Sequence, residues 1–267
     1  MFAIYKLIKV ILETGYEVLK IKNEKNNHSV SKISEQISYK RLKSFAVKSQ
    51  LPFISKFDND DFEIRKHWTS FWILSPIIGK KSLREGKDDF IIAITKIENK
   101  RPSFTIIFAP LKNELFIGIK NKAYKIENIS LLLNLNLDEI LTEKNRINKP
   151  IEGFFFNILK SRNRMNYKIE KFLNDFKLHK SGSIREIVDE SPMNLIGMAE
   201  GKYDFYPHLK TIYEWDIAPF DALITASGNR ITQNDGILPL EYNSKKFKFP
   251  AFIAKNNFDI DSIDLKE

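Results

Sequence analysis

Residues 212–228 read Ile-Tyr-Glu-Trp-Asp-Ile-Ala-Pro-Phe-Asp-Ala-Leu-Ile-Thr-Ala-Ser-Gly, and no other stretch of the chain says as much about its fold. Apolar residues recur along it at helical spacing, which predicts a helix from Asp216 to Ser227. At the start of this helix, Asp216 would act as the cap for the turn that begins at Ile217, accepting backbone N–H groups. Trp215 is expected to lie in the core.

The rest of the chain mixes predicted helices and strands. Apolar spacing predicts an N-terminal amphipathic helix and a second helix from Ser31 to Lys48. Short apolar runs predict strands in the first half at 71–74, 90–97, 104–108 and 115–119. In the second half, strands are predicted at 154–159 and 203–206 and helices at 169–176 and 193–200. Such mixing is typical of layered α/β packing.

Composition excludes several classes of protein. A chain of 267 residues with 43% hydrophobic residues can bury a sizeable core, and without cysteine it has no disulfide framework or thiolate nucleophile. No apolar run approaches the roughly 20 residues that span a bilayer. The first helix is interrupted by Lys6 and Lys9, so we expect no signal peptide and no membrane contact, and a cytoplasmic protein. The net charge of +9 comes from lysines spread along the chain, so nucleic acid is not expected as the partner.

Three further segments accompany residues 212–228 in a fixed order. They are Ile-Phe-Ala-Pro…Asn-Glu-Leu at 107–115, Ala-Glu-Gly…Tyr-Pro at 199–207, and Asp-Gly…Pro-Leu-Glu-Tyr-Asn at 235–243. Together the four resemble the inositol-monophosphatase superfamily in its 3'(2'),5'-bisphosphate nucleotidase branch. That resemblance implies a five-layer αβαβα sandwich of the sugar-phosphatase type. It also implies an active site between an N-terminal half, 1–150, and a C-terminal half, 151–267.

The resemblance also implies where magnesium ligands should stand, and most of those positions carry other residues. Members bind the metal through a Thr-x-x-Asp segment, a Glu-Glu pair, both acids of Asp-Pro-x-Asp-Gly-Thr, and the aspartate after the tryptophan. The matching segments here are 31–34, 52–57, 71–80 and 215–216. The residues at the altered positions are Ser34, Lys56, Ser75, Ile78 and Lys80. Asp216 alone keeps the acid of the pattern.

These exchanges predict that magnesium is not a cofactor. Magnesium needs near-octahedral oxygen ligation and gives up water reluctantly, so carboxylate charge must hold it. Ile78 offers no ligand atom. Lys56 would repel a cation 4 Å away by about 4 kcal/mol for each unit of the cation's charge, at an effective dielectric of 20. A few nearby acids, Asp58 among them, are expected to form an exposed loop rather than substitute ligands.

The substrate side departs from the branch as well. Its Ser-Arg-Ser-His segment corresponds to residues 161–164, where Ser161, Arg162 and Arg164 are candidate phosphate contacts together with Lys80. Asn194 stands where the branch has a lysine, and His208 where it has an arginine. Recognition of a nucleotide is therefore expected to differ from that of the branch.

Three functions follow from these observations. The first is an inactive homologue of the phosphatases, retained as a binding or scaffold protein for an anionic or phosphate-bearing small molecule. The second is an active phosphatase with unusual metal ligation, acting on adenosine 3',5'-bisphosphate or an inositol phosphate with magnesium. The third is a basic nucleic-acid-binding protein. A homodimer is one possible assembly. We favour the first function, although a fold by itself assigns none.

Overall fold

The computed structural model describes residues 2–24, 29–87, 89–129, 137–147, 155–160, 170–171, 173–174, 183–189, 191, 193–208, 210–233 and 235–256. The helices are α1 (Phe2–Glu24), α2 (Ser29–Lys48), α3 (Phe62–Arg65), α4 (Lys80–Arg84), α5 (Leu137–Ile140), α6 (Asn194–Ala199) and α7 (Glu214–Ala226), with a 3-10 turn at Glu143–Asn145. Among the described residues, none of these helices is long and apolar enough to cross a bilayer.

A six-stranded sheet forms the N-terminal half. Its strands, in spatial order, are β1 (Phe53–Ile54), β2 (Ser70–Ile78), β3 (Ile91–Glu98), β4 (Arg101–Ala109), β5 (Glu114–Ile119) and β6 (Lys122–Glu127). β1 runs parallel to β2, and every later pair is antiparallel. The pairing of β2 with β3 shifts register between Ser75 and Ile78, so the end of β2 bends away from regular pairing.

A five-stranded sheet forms the C-terminal half. Its strands, in spatial order, are β11 (Arg230–Thr232), β13 (Phe252–Lys255), β9 (Phe205–His208), β7 (Phe155–Lys160) and β8 (Ser183–Val188). A separate two-stranded pair joins β10 (Ile212–Tyr213) to β12 (Lys248–Phe249). β7 runs parallel to both its neighbours, whereas β13 is antiparallel to β9 and β11.

The elements stack in layers. α1 and α2 pack together on one face of the six-stranded sheet, and α7 packs on the opposite face against β2, β4 and β5. α7 also contacts α6 and β11, so it lies between the two sheets. One apolar cluster joins α7 to both sheets, and a second lies beneath α1 and α2. This order gives helix, sheet, helix and sheet, and it confirms the predicted layered α/β fold.

Most sequence-predicted elements are present. The two N-terminal helices, the four strands of the first half and the helix at 193–200 all appear, within a few residues of their predicted ends. Of the predicted helix at 169–176, residues 170–171 and 173–174 are described, and they are helical. The proposed boundary between the two halves at residue 150 lies outside the described residues and stays a prediction.

The capping role predicted for Asp216 is wrong. α7 begins at Glu214, with Tyr213 as its N-cap, and no described side chain forms a capping hydrogen bond there. The helix starts two residues earlier than predicted because the buried Glu214 carboxylate accepts the backbone N–H groups of Asn243 and Ser244, at 2.8 and 2.7 Å. Asp216 therefore stands inside the first turn, where its carboxylate is not needed as a cap.

Gly15 is expected to be required where α1 crosses β4. A Cβ added at Gly15 would overlap the ring of the fully buried Phe108 and lie 3.0 Å from Pro110 Cγ. Overpacking of this kind costs about 1–3 kcal/mol, whereas the gain in helix propensity from glycine to alanine is only about 1 kcal/mol. Gly15→Ala should therefore lower the midpoint of urea unfolding.

The matched control is Gly15→Ala made together with Phe108→Leu. The shorter side chain removes the overlap, so the alanine should then cost less than it does in the wild-type background. A rise in the unfolding midpoint for Gly15→Ala alone would contradict this packing.

Candidate functional site

Two adjoining cavities lie where the halves meet. The first, about 480 Å³, contains acidic and basic side chains and is here called the acid–lysine cavity; its lining includes Glu35, Lys56, Ser75, Ile78, Lys80 and Asp216. The second, about 560 Å³, is here called the histidine cavity; its lining includes Asp189, Asn194, His208, Lys210, Phe220 and Phe252. Ile78, Gly79, Lys80 and Asp216 line both cavities. Together they form one cleft with two chambers.

Separate elements bring these residues together. Glu35 comes from α2, Lys56 follows β1, and Ser75 and Ile78 lie on the irregular end of β2. Lys80 opens α4 directly after Gly79, whose φ of 92° belongs to the left-handed region that favours glycine. That turn directs the chain out of the sheet and into the cleft.

One hydrogen bond ties the two halves at the cleft. The buried Ser75 hydroxyl donates to the Trp215 carbonyl at 2.5 Å, which links β2 of the first sheet to the first turn of α7. Asp216 is the next residue on that turn, so the bond fixes its position relative to β2. Ser75 thus acts as a structural contact between the halves.

Four charged groups meet in the acid–lysine cavity: Glu35, Lys56, Lys80 and Asp216, here called the charge quartet. One oxygen of Glu35, Oε1, is 2.5 Å from Lys80 Nζ and 3.5 Å from Lys56 Nζ. The Glu35 side chain is only 10% exposed, whereas those of Lys80 and Lys56 are 35% and 46% exposed. A nearly buried carboxylate therefore holds two more accessible ammonium groups.

Burial and the neighbouring charges shift the pKa values of three groups in the charge quartet. The pKa of Asp216 is raised to about 6, because burial, and to a smaller extent Glu35, outweigh the opposing effects of Lys80 and Lys56. Burial lowers the pKa of Lys80, and the adjacent Lys56 lowers it too, against the effect of Glu35. The pKa of Lys56 is raised by the neighbouring Lys80 amine and by Glu35, against the opposing effect of burial. Lys56 is thus the more firmly protonated lysine of the two.

The histidine cavity has a different character. His208 is buried, its Nδ1 lies 3.0 Å from the Tyr206 hydroxyl, and its ring stacks on Phe252 with centroids 4.7 Å apart. Asn194 and Lys210 also line this chamber. It therefore offers flat aromatic and apolar surface beside hydrogen-bonding groups.

The structure brings together most of the sequence-predicted site residues. Lys56, Ser75, Ile78, Lys80 and Asp216 all line the acid–lysine cavity. Ser34 does not line it; its hydroxyl is buried in α2 and has no hydrogen-bond partner in the part of the chain that the structure describes. The candidate phosphate contacts Ser161, Arg162 and Arg164 lie outside the described residues, so their roles stay predictions.

Glu35 is the functional candidate that sequence reasoning missed. It directly follows Ser34, at the position matching the residue after the acid of the Thr-x-x-Asp segment. A search one residue further along α2 would have found a carboxylate at this site. Among the described residues, no group of three or more histidine, aspartate or glutamate side chains is placed to hold a metal ion.

The match to known proteins decides the family. The model of the inositol monophosphatase family matches residues 3–257. The chain belongs to this family. The family and the branch that the motifs predicted are confirmed by relatives named as 3'(2'),5'-bisphosphate nucleotidase CysQ. The Escherichia coli K12 protein is 24% identical over 203 residues, covering 76% of this chain and 74% of that protein. The Buchnera aphidicola protein is 25% identical over 185 residues, covering 69% and 63%.

Solved structures agree with this assignment. CysQ from Bacteroides thetaiotaomicron superimposes with a TM-score of 0.80 at 26% identity, covering 96% of this chain and 97% of that chain. Inositol monophosphatase II from Staphylococcus aureus gives a TM-score of 0.72 at 12% identity, covering 96% and 90%. The similarity to the Staphylococcus aureus protein supports the fold alone. The Bacteroides thetaiotaomicron protein is itself described as a bacterial member of the inositol monophosphatase family.

The raised pKa of Asp216 predicts a pH-dependent contribution to stability. Between its ordinary value of 3.8 and its folded value of about 6, the folded protein binds more protons than the unfolded chain. Lowering the pH through this window should therefore stabilise wild type relative to Asp216→Asn, by at most about 3 kcal/mol. Urea unfolding of both proteins from pH 7 to pH 4 measures the difference, and groups common to both cancel. If the free energy of unfolding of wild type does not rise relative to that of Asp216→Asn as the pH falls, the burial of this carboxylate is contradicted.

Proposed function

We propose that the protein binds a phosphate-bearing small molecule at the lysine pair of the cleft and does not hydrolyse it with magnesium. The observation that carries this proposal is the shared oxygen of Glu35, which holds the ammonium groups of Lys56 and Lys80 beside Asp216. Ammonium groups neutralise and hydrogen-bond phosphate oxygens, and lysine is a common phosphate ligand. They would supply the positive charge that divalent cations provide in a magnesium-dependent phosphatase.

The residues of the acid–lysine cavity do not fit magnesium. A two-metal site for phosphoryl transfer needs several carboxylates shared between cations roughly 3.5–4 Å apart. The cavity offers two carboxylates, and one of them is already in an ion pair with Lys80 at 2.5 Å. A divalent cation beside Glu35 would meet two ammonium charges, and Ile78 contributes no ligand atom. No catalytic step through a metal is therefore proposed.

The ligand class rests on chemistry and resemblance together. The CysQ relatives are named for 3'(2'),5'-bisphosphates, which combine phosphate groups with a flat base. The histidine cavity supplies aromatic surface at Phe252 and hydrogen-bonding groups at Asn194, and it adjoins the lysine pair through Lys80. A phosphate at the lysines and a planar group in the second chamber would use both parts of the cleft. A nucleotide carrying a phosphate monoester fits this description.

Hydrolysis is the competing function, and membership of a phosphatase family favours it. It requires the two lysines to move away from Glu35 and Asp216 so that metal ions can approach the carboxylates. Such a rearrangement leaves two ammonium groups without their partner and gathers positive charge around the metal. In the proposed binding, the ammonium groups stay in the cavity and pair with the ligand's phosphate.

Metal-free binding is the first expectation. Adenosine 3',5'-bisphosphate, titrated calorimetrically in buffer with excess EDTA, should bind wild type. Lys80→Met should weaken the affinity at least about tenfold, because a charge-assisted hydrogen bond contributes about 1.5–3 kcal/mol. Lys122→Met is the matched control, since Lys122 forms an ion pair with Glu143 at 3.0 Å on β6, outside the cleft. Its affinity should equal that of wild type.

Phosphate release separates the two functions. With the same nucleotide or inositol monophosphate and excess magnesium or manganese, wild type should release no phosphate above background. Steady turnover that disappears in Asp216→Asn would contradict the proposal and establish the hydrolytic alternative. Binding that occurs only when a divalent cation is added would contradict it as well.

A further inference from the structure

Glu35 lies where a bound phosphate would make its contacts. Its Oε1 atom pairs with both ammonium groups of the lysine pair, lying 2.5 Å from Lys80 Nζ and 3.5 Å from Lys56 Nζ. A phosphate oxygen that engages the same two donors must approach the same space. The side chain of Glu35 is 10% exposed, so water offers this carboxylate little competing solvation.

We propose that Glu35 is an internal anion that occupies the lysine pair in the ligand-free protein and is displaced from it by the ligand's phosphate. The proposal rests on the function proposed above and concerns how the same site is regulated. Glu35 sets the affinity by competing with the ligand, and it keeps the two lysines paired when the ligand is absent.

The charge balance of the cavity requires such an exchange. The charge quartet contains two ammonium groups and two carboxylates, so it is neutral with all four groups ionised. A phosphate monoester brings up to two further negative charges into this partly buried space. If Glu35 kept its contacts, the phosphate would face a carboxylate across the same donors, and like charges at short range repel strongly at low dielectric.

Lys80 is placed to make the exchange. It lines both chambers, and its side chain is 35% exposed, so it can turn from Glu35 toward a ligand by side-chain rotation alone. Lys56 lies within 3.5 Å of the same Glu35 oxygen and can keep that carboxylate paired during the exchange. The buried carboxylate is then never left without a cation, which would be strongly unfavourable.

The alternative role for Glu35 predicts the opposite effect. If its carboxylate served mainly to hold the two lysines in a binding geometry, its removal would loosen them and weaken phosphate binding. If it competes with the ligand, its removal frees both ammonium groups and strengthens binding. The sign of the change in affinity therefore separates an internal competitor from a positioning residue.

The experiment measures binding of inorganic phosphate in EDTA at pH 7.5 by calorimetry. Glu35→Gln keeps the shape of the side chain and removes its charge, and it should bind phosphate at least about tenfold more tightly than wild type. Glu143→Gln is the matched control, because it makes the same change of charge at a residue that pairs with Lys122 at 3.0 Å, outside the cleft. It should change the affinity less than about threefold.

Two results would overturn the proposal. One is phosphate binding by Glu35→Gln that is equal to or weaker than that of wild type, and the other is an equal gain in both variants, which would indicate a general effect of charge. Thermal melts check that each variant is folded, and Glu35→Ala provides a second variant that removes the carboxylate. If neither wild type nor the variants bind phosphate, the proposed function fails and this inference falls with it. If wild type binds and the Glu35 variants bind no tighter, only the inference fails.

Discussion

In the cleft, the nearly buried carboxylate of Glu35 is paired with two ammonium groups, those of Lys56 and Lys80. The ion pair from Lys80 to Glu35 at 2.5 Å connects the start of α4 to α2 across the acid–lysine cavity, and Lys56 approaches the same oxygen from the end of β1. Three separate elements of the N-terminal half are thus joined at one atom. Removing Glu35 would leave both ammonium groups without this partner, whereas removing one lysine leaves the carboxylate paired with the other.

The framework around this contact serves to position it. The register shift at the end of β2 and the left-handed turn at Gly79 carry the chain from the sheet into the cleft, so that Lys80 projects toward Glu35. The Ser75 hydroxyl donates a hydrogen bond to the Trp215 carbonyl and so holds the first turn of α7 beside the end of β2. We propose that the ammonium groups of Lys56 and Lys80 in this cavity take the role that metal ions have in a magnesium-dependent phosphatase.

The sequence alone predicts the fold and most of the residues that line the site. The order of the four motifs predicted the family, and aligning them placed Lys56, Ile78, Lys80 and Asp216 in one cleft before any geometry was known. Apolar periodicity also located the strands of the first sheet, since each is buried over most of its length. These features depend on local pattern and motif order, which a single sequence records.

The errors came from contacts that are remote in sequence. The start of α7 depends on Glu214 binding the backbone at 243–244, some 30 residues further along, so local capping rules placed it two residues late. Glu35 gains its importance only because Lys56 and Lys80 reach it from two other elements. In the sequence it is one polar residue among several on α2, a helix with weakly segregated faces.

The most direct test is crystallography of the wild-type protein grown with manganese and adenosine 3',5'-bisphosphate, with diffraction data collected at the manganese absorption edge. If ammonium groups take the role of the metal, the map should place Lys56 and Lys80 beside the phosphate and show no anomalous peak near Glu35 or Asp216. An anomalous peak bound by both carboxylates, with the two lysines turned out of the cavity, would contradict that claim.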